Sequence, residues 1–118
     1  MKKIYHLSSC TTCKRIIKQV NTHNEFTLHD IKTEPLTAAQ LEAMHQVTGS
    51  YESLFSRKSM KYRAMGLHEQ KLSENDYQRL ILEEYTFLKR PVIVVEEAIF
   101  VGNDAKTIEA AKKANDLA

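Results

Sequence analysis

Apolar residues fall along this chain in blocks whose spacing changes twice. Lys2 to Leu7 is a short run suited to a strand, and Glu25 to Ile31 alternates apolar and polar at Phe26, Leu28 and, less cleanly, Asp30. Between them Cys13, Ile16, Ile17 and Val20 recur at three- and four-residue steps, which predicts a helix with one buried face. Ser8 and Ser9 precede that helix and are suitable caps for it. The opening stretch therefore reads β-α-β, with a pair of cysteines where the first strand gives way to the helix.

From residue 33 to 87 the pattern is helical throughout. Thr37 and Gln40 match a capping box, Leu41, Met44 and Thr48 continue one face, and Gly49 is a good stop. Ser73 and Asp76 resemble a second cap, followed by Tyr77, Leu80, Ile81 and Glu84 at helical spacing. A basic stretch, Arg57-Lys58-Ser59-Met60-Lys61-Tyr62-Arg63, lies between the two helices and ends near Gly66. The last third returns to strands. Pro91 to Val95 is rich in β-branched residues and too short for a helix, and Ala98 to Val101 is a plausible partner strand joined through Glu96 and Glu97. Asn103 and Asp104 can cap a final helix that carries Ala105, Ile108 and Ala111 on one face. The order β-α-β, helical insert, β-β-α, with a C-x-x-C at the first strand–helix junction, predicts an α/β, thioredoxin-like fold. We read residues 1–118 as one domain, with a helical subdomain at about 33–87 between the second and third strands.

Composition narrows the function classes. At 42% apolar and 27% charged residues the chain resembles an ordinary globular protein rather than a disordered one. Seventeen basic against fifteen acidic residues leave a net charge of +2, too little to predict direct DNA binding. No apolar run approaches the ~20 residues that span a bilayer, and Met1-Lys2-Lys3 is not followed by a signal-peptide core. The expectation is a cytoplasmic protein without a membrane partner. In a reducing compartment, two cysteines three positions apart point to redox chemistry or metal before structural bridging.

A helix N-terminus offers unsatisfied N–H groups and the positive end of the helix dipole, and both stabilise a thiolate. Cys10 is placed to receive that help as the nucleophile, and Cys13, one turn further on, is placed to resolve a mixed disulfide. Two other readings stay open: a pair of inert buried thiols, and zinc held by His6, Cys10 and Cys13 with His23 or His29. No second Cys/His cluster accompanies them, so no bound metal or other cofactor is expected. Arg57, in the basic stretch, and Arg90, beside the strand-entry proline Pro91, are either solvated surface charges or a bidentate anion clamp. Pro91 itself marks a tight or cis junction.

Five segments together resemble the ArsC/Spx family of thioredoxin-like, arsenate reductase-like proteins. They are Ser9-Cys10-Thr11-Thr12-Cys13, Phe55-Ser56-Arg57-Lys58-Ser59, Leu88-Lys89-Arg90-Pro91-Val92-Ile93-Val94, Glu34-Pro35-Leu36 and Val101-Gly102-Asn103, and they span nearly the full chain. The resemblance implies that Cys10 is the nucleophile, that Arg57 and Arg90 gather an oxyanion beside it, and that the Arg90–Pro91 peptide is cis. It also implies an oxyanion or thiol substrate, with glutathione and glutaredoxin as electron donors. Two departures divide the family's functions. The stretch Phe100-Val101-Gly102-Asn103 lacks the third anion-binding arginine of the reductases, and Cys13 makes a cysteine pair as in Spx. Spx members are redox-sensing transcriptional regulators that bind the C-terminal domain of RNA polymerase α, and Gly49 matches in spacing a glycine used at that interface.

Overall fold

The computed structural model describes residues 1–118 and divides into two units, Met1–Glu34 with Arg90–Ala118, and Pro35–Lys89. The first unit is a four-stranded sheet of β1 (Lys2–His6), β2 (Thr27–Asp30), β3 (Val92–Val95) and β4 (Ala98–Val101), in the order β2-β1-β3-β4. β1 and β2 are parallel and joined through the crossover helix α1 (Thr11–Val20), whereas β3 runs antiparallel to both β1 and β4. Helix α5 (Ala105–Leu117) follows β4 and packs on β3, β4 and α1. This is a mixed α/β, thioredoxin-like architecture.

Periodicity explains which faces are buried. α1 turns Cys13, Ile16 and Val20 inward and α5 turns Ile108 and Ala111 inward, and of these Ile16, Val20, Ile108 and Ala111 form one core with Ile4, Ile93 and Val95 of the sheet, together with Phe26. Each aliphatic side chain so covered contributes roughly 1.5–3 kcal/mol of burial. β3 is buried at all four positions, as expected of a central strand in a β-branched run.

Two local expectations are corrected. The residue that caps α1 is Cys10, with extended backbone (φ −88°, ψ 114°), and not Ser8 or Ser9. In β2 the apolar residue is the exposed one: Leu28 is 44% accessible while His29 is 3%. β2 is an edge strand that pairs only with β1, so Leu28, in register with Ile4, is left uncovered. His29 tolerates burial because its Nε2 lies 2.8 Å from the Glu34 carbonyl and its ring lies against Tyr5 at 4.9 Å. A buried polar group is admissible when it has a partner.

The second unit is helical, with α2 (Ala38–Thr48), α3 (Met60–Ala64) and α4 (Glu74–Glu83) linked by short 3₁₀ turns. Both capping boxes form: the Thr37 side chain accepts from Gln40 N–H while Gln40 accepts from Thr37 N–H, and Ser73 and Asp76 do the same. Gly49 ends α2 at φ +75°, a conformation that favours glycine. Glu74 accepts from the Tyr51 and Glu52 amides at 2.7 and 3.0 Å, pinning the 3₁₀ turn Glu52–Leu54 to the start of α4. Phe55 anchors an aromatic cluster, stacked on Phe87 at 5.0 Å and tilted against Tyr77 at 4.9 Å. No helix of either unit is long and apolar enough to cross a membrane.

Candidate active site

The first unit brings Cys10, Cys13, Arg90 and Pro91 together at one end of its sheet. Cys10 donates its N–H to the Leu7 carbonyl at 2.9 Å, and its own carbonyl accepts from Lys14 at 3.1 Å, opening α1. The loop beneath is tied to β2, because Asp30 accepts from the Ser8 amide and the Ile31 amide donates to the His6 carbonyl. The Ser8 side chain is the main reason the Asp30 carboxyl lies below the usual range, with the Lys32 and Ser8 amides adding to it.

As the cap of α1, Cys10 presents its sulfur to amides that have no partner within the helix. Partial burial alone would raise its pKa. Hydrogen bonds from the Cys13 amide and thiol and from the Thr12 amide, with the positive charge of Arg90, outweigh burial and hold it below the ordinary thiol value. Cys13 is the opposite case. It is fully buried, and burial chiefly pushes its pKa up to about 11, with the bond to Cys10 and the Cys10 charge acting in the same direction. Both thiols are free. The pair thus holds one sulfur more acidic than an ordinary thiol and the other as a protonated neighbour beside it.

Arg90 completes this end of the sheet. Its peptide to Pro91 is cis, and the Pro91 carbonyl accepts from Gly102 N–H at 3.0 Å, fixing the segment that leads into α5. One guanidinium nitrogen of Arg90, Nη1, is buried and has no hydrogen-bond partner in the protein. A buried charged donor without an acceptor is costly, and an anion is the natural group to satisfy it. His6 has a pKa lowered by burial against the opposing pull of Asp30. No three His, Cys, Asp or Glu side chains gather in a metal-binding group.

Arg57 belongs to the helical unit. Its Nη2 donates to Glu52 Oε2 at 2.7 Å and to Tyr77 Oη at 3.0 Å, and the guanidinium lies 5.7 Å from the Tyr77 ring centroid. The bond to Glu52 is the main reason its pKa is raised. Sequence reasoning missed both partners. Tyr77 reads only as a core position of α4, and Glu52 carries no periodic or motif signal at all.

The model of the ArsC family matches residues 5–111. The chain belongs to the ArsC family. Among curated relatives of this ArsC-family chain, the global transcriptional regulator Spx of Lactiplantibacillus plantarum is 29% identical over 101 residues, covering 84% of this chain and 76% of the relative. Spx of Bacillus subtilis is 26% identical, covering 86% and 79%. Among solved structures, a Staphylococcus aureus protein determined by solution NMR is 26% identical with a TM-score of 0.76, covering 93% of this chain and 97% of that one. An arsenate reductase from Vibrio cholerae shares the fold with a TM-score of 0.76 at 16% identity, covering 96% of each chain.

Proposed function

We propose that this ArsC-family protein is a thiol–disulfide redox protein in which Cys10 is the attacking thiolate and Cys13 the resolving thiol. The opposed shifts of the two cysteines carry the reading: one sulfur is held below the ordinary thiol range at a helix N-terminus and the other is buried and raised to about 11. In the reductase form, Arg90, with its unpartnered buried nitrogen, supplies charge for an oxyanion such as arsenate, and Arg57 is a second anion-binding guanidinium. The Cys10 thiolate attacks arsenic and displaces a hydroxide, which leaves as water once protonated. Cys13 then gives up its proton and attacks the Cys10 sulfur. The sulfur–arsenic bonding pair stays with arsenic, which leaves as arsenite, and the two thiols have become a disulfide. Two glutathiones, delivered directly or through glutaredoxin, return the pair to thiols and leave as oxidised glutathione.

A second reading is favoured by a specific observation: the curated relatives from Lactiplantibacillus plantarum and Bacillus subtilis are named as Spx regulators. Under it the same Cys10–Cys13 bond controls contact with the C-terminal domain of RNA polymerase α, and no substrate is turned over. One paired experiment separates the two. Arsenate-dependent NADPH oxidation is followed with glutathione, glutaredoxin and glutathione reductase, for the native protein and Cys10→Ser. In parallel, reduced and oxidised protein are used to capture RNA polymerase α. Turnover that disappears in Cys10→Ser supports the reductase. Redox-dependent capture without turnover supports the regulator. If neither occurs and the cysteines do not form a disulfide under mild oxidation, the redox reading is wrong.

A further inference from the structure

The Glu52 carboxylate rests against the Arg57 guanidinium. Its Oε2 accepts from Arg57 Nη2 at 2.7 Å and also lies 3.5 Å from Tyr77 Oη. A guanidinium N–H and a phenolic O–H converging on one oxygen is the donor set that an oxyanion oxygen seeks. The backbone that carries the Glu52 side chain is anchored beside Arg57. The Glu52 amide is held by Glu74, and the 3₁₀ turn Glu52–Leu54 fixes where its side chain starts. The Tyr77 ring is equally fixed, being buried against Phe55.

We propose that Glu52 is a built-in competitor for the anion site of Arg57, so that an oxyanion binds there only by displacing the Glu52 carboxylate. This rests on the reading of Arg57 as an anion-binding residue and adds the element that sets its affinity. The competition is of modest strength. The Arg57 and Glu52 side chains are 47% and 53% exposed, so the pair is a solvated one rather than a buried lock. Pairs of this kind are worth a few tenths to about 1 kcal/mol, so removing the competitor should tighten anion binding about two- to fivefold. Chloride and other weakly held anions thereby occupy the arginine less, while an oxyanion able to accept from both Arg57 and Tyr77 can still replace the carboxylate.

Sulfate is the probe, titrated against chloride at constant ionic strength. The amides of residues 52–57 and the Arg57 Nε–Hε group are followed by heteronuclear NMR on the full chain. Glu52→Gln removes the competing charge, and Glu83→Gln, on an exposed glutamate that pairs with Arg79, is the control for net charge. Glu52→Gln should bind sulfate about two- to fivefold more tightly at Arg57, and Glu83→Gln should match the native protein. Arg57→Ala should weaken binding whether or not Glu52 is present. If Arg57→Ala weakens binding but Glu52→Gln leaves it unchanged, Glu52 does not compete and only this inference falls. An equal gain in Glu83→Gln also overturns it, because the effect is then one of bulk charge. If Arg57→Ala leaves binding unchanged, the reading of Arg57 as an anion residue falls with it.

Discussion

The two cysteines should differ in reactivity by more than an order of magnitude in the folded protein, in a direction their chemical identity alone cannot give. Cys10→Ser leaves only Cys13, and Cys13→Ser leaves only Cys10. With a pKa of about 11, Cys13 is thiolate at pH 7 in about one molecule in ten thousand, against ~3% for an unperturbed thiol of pKa about 8.5. That is a deficit of about 300-fold. A thiolate of higher pKa is intrinsically more nucleophilic, with a Brønsted slope of ~0.4–0.5, which recovers about tenfold of it. Cys13 should therefore be alkylated about 30-fold more slowly than a free thiol before steric shielding is counted, and it is fully buried. Cys10→Ser relieves the part of the shift that comes from Cys10, but burial is the larger cause and stays. In Cys13→Ser the residue-13 amide and a hydroxyl remain to donate to Cys10, so its pKa should stay low. Iodoacetamide trapping read by intact mass, from pH 5 to 10, measures both rates. Cys13→Ser should be at least about 30-fold faster at pH 7 and reach its plateau below the ordinary thiol range. Cys10→Ser should keep climbing with unit slope to pH 10, and in urea the two should converge. Folded-state rates within threefold of each other would refute the reasoning.

Arg90→Gln should raise the pKa of Cys10, because the charge lost is one that lowers it, with Cys13 moving the same way; thiolate ultraviolet absorbance against pH reads this, and an unmoved Cys10 would remove Arg90 from the site. Stability of the reduced protein should fall as pH rises from about 8.5 towards 11, because the unfolded chain loses the Cys13 proton first while the folded one retains it to about 11. Urea melts should show a loss of up to ~2–3 kcal/mol across that window, and Cys13→Ala should flatten the slope; Tyr51, pushed up to about 12 chiefly by its bond to Glu42, adds to the decline only at the alkaline end. Ser73→Ala removes the hydroxyl half of the α4 capping box, leaving Asp76 to accept from the residue-73 amide, and should cost about 1 kcal/mol in a urea melt, with the cysteine chemistry unchanged.

Periodic and local signals were legible along the chain. The burial stripes of α1 and α4, the Ile108 and Ala111 part of the α5 face (Ala105, expected with them, is exposed in the first turn), both capping boxes, the glycine stop at Gly49 and the β-branched run of β3 all follow from spacing and residue type, since each is decided within a turn or two of chain. So was the placement of two cysteines at a strand–helix junction, which is a matter of order alone. Three things were decided only by tertiary structure. Which face of β2 is buried depended on β2 being an edge strand and on a carbonyl from Glu34 reaching His29, so polarity alone misjudged Leu28 and His29. That Cys10, rather than Ser8 or Ser9, caps α1 depended on where the Leu7–Cys10 turn closes, because all three residues offer a side chain at the helix start. The environments of the two arginines were the least legible. A guanidinium next to a proline and another in a basic run look alike in sequence. Folding buries one nitrogen of Arg90 without an acceptor and gives Arg57 a carboxylate five residues back and a phenol twenty residues on. Spacing dictates what a residue's neighbours along a helix or strand will be, and charge partners drawn from separate turns are set only when the chain has closed on itself.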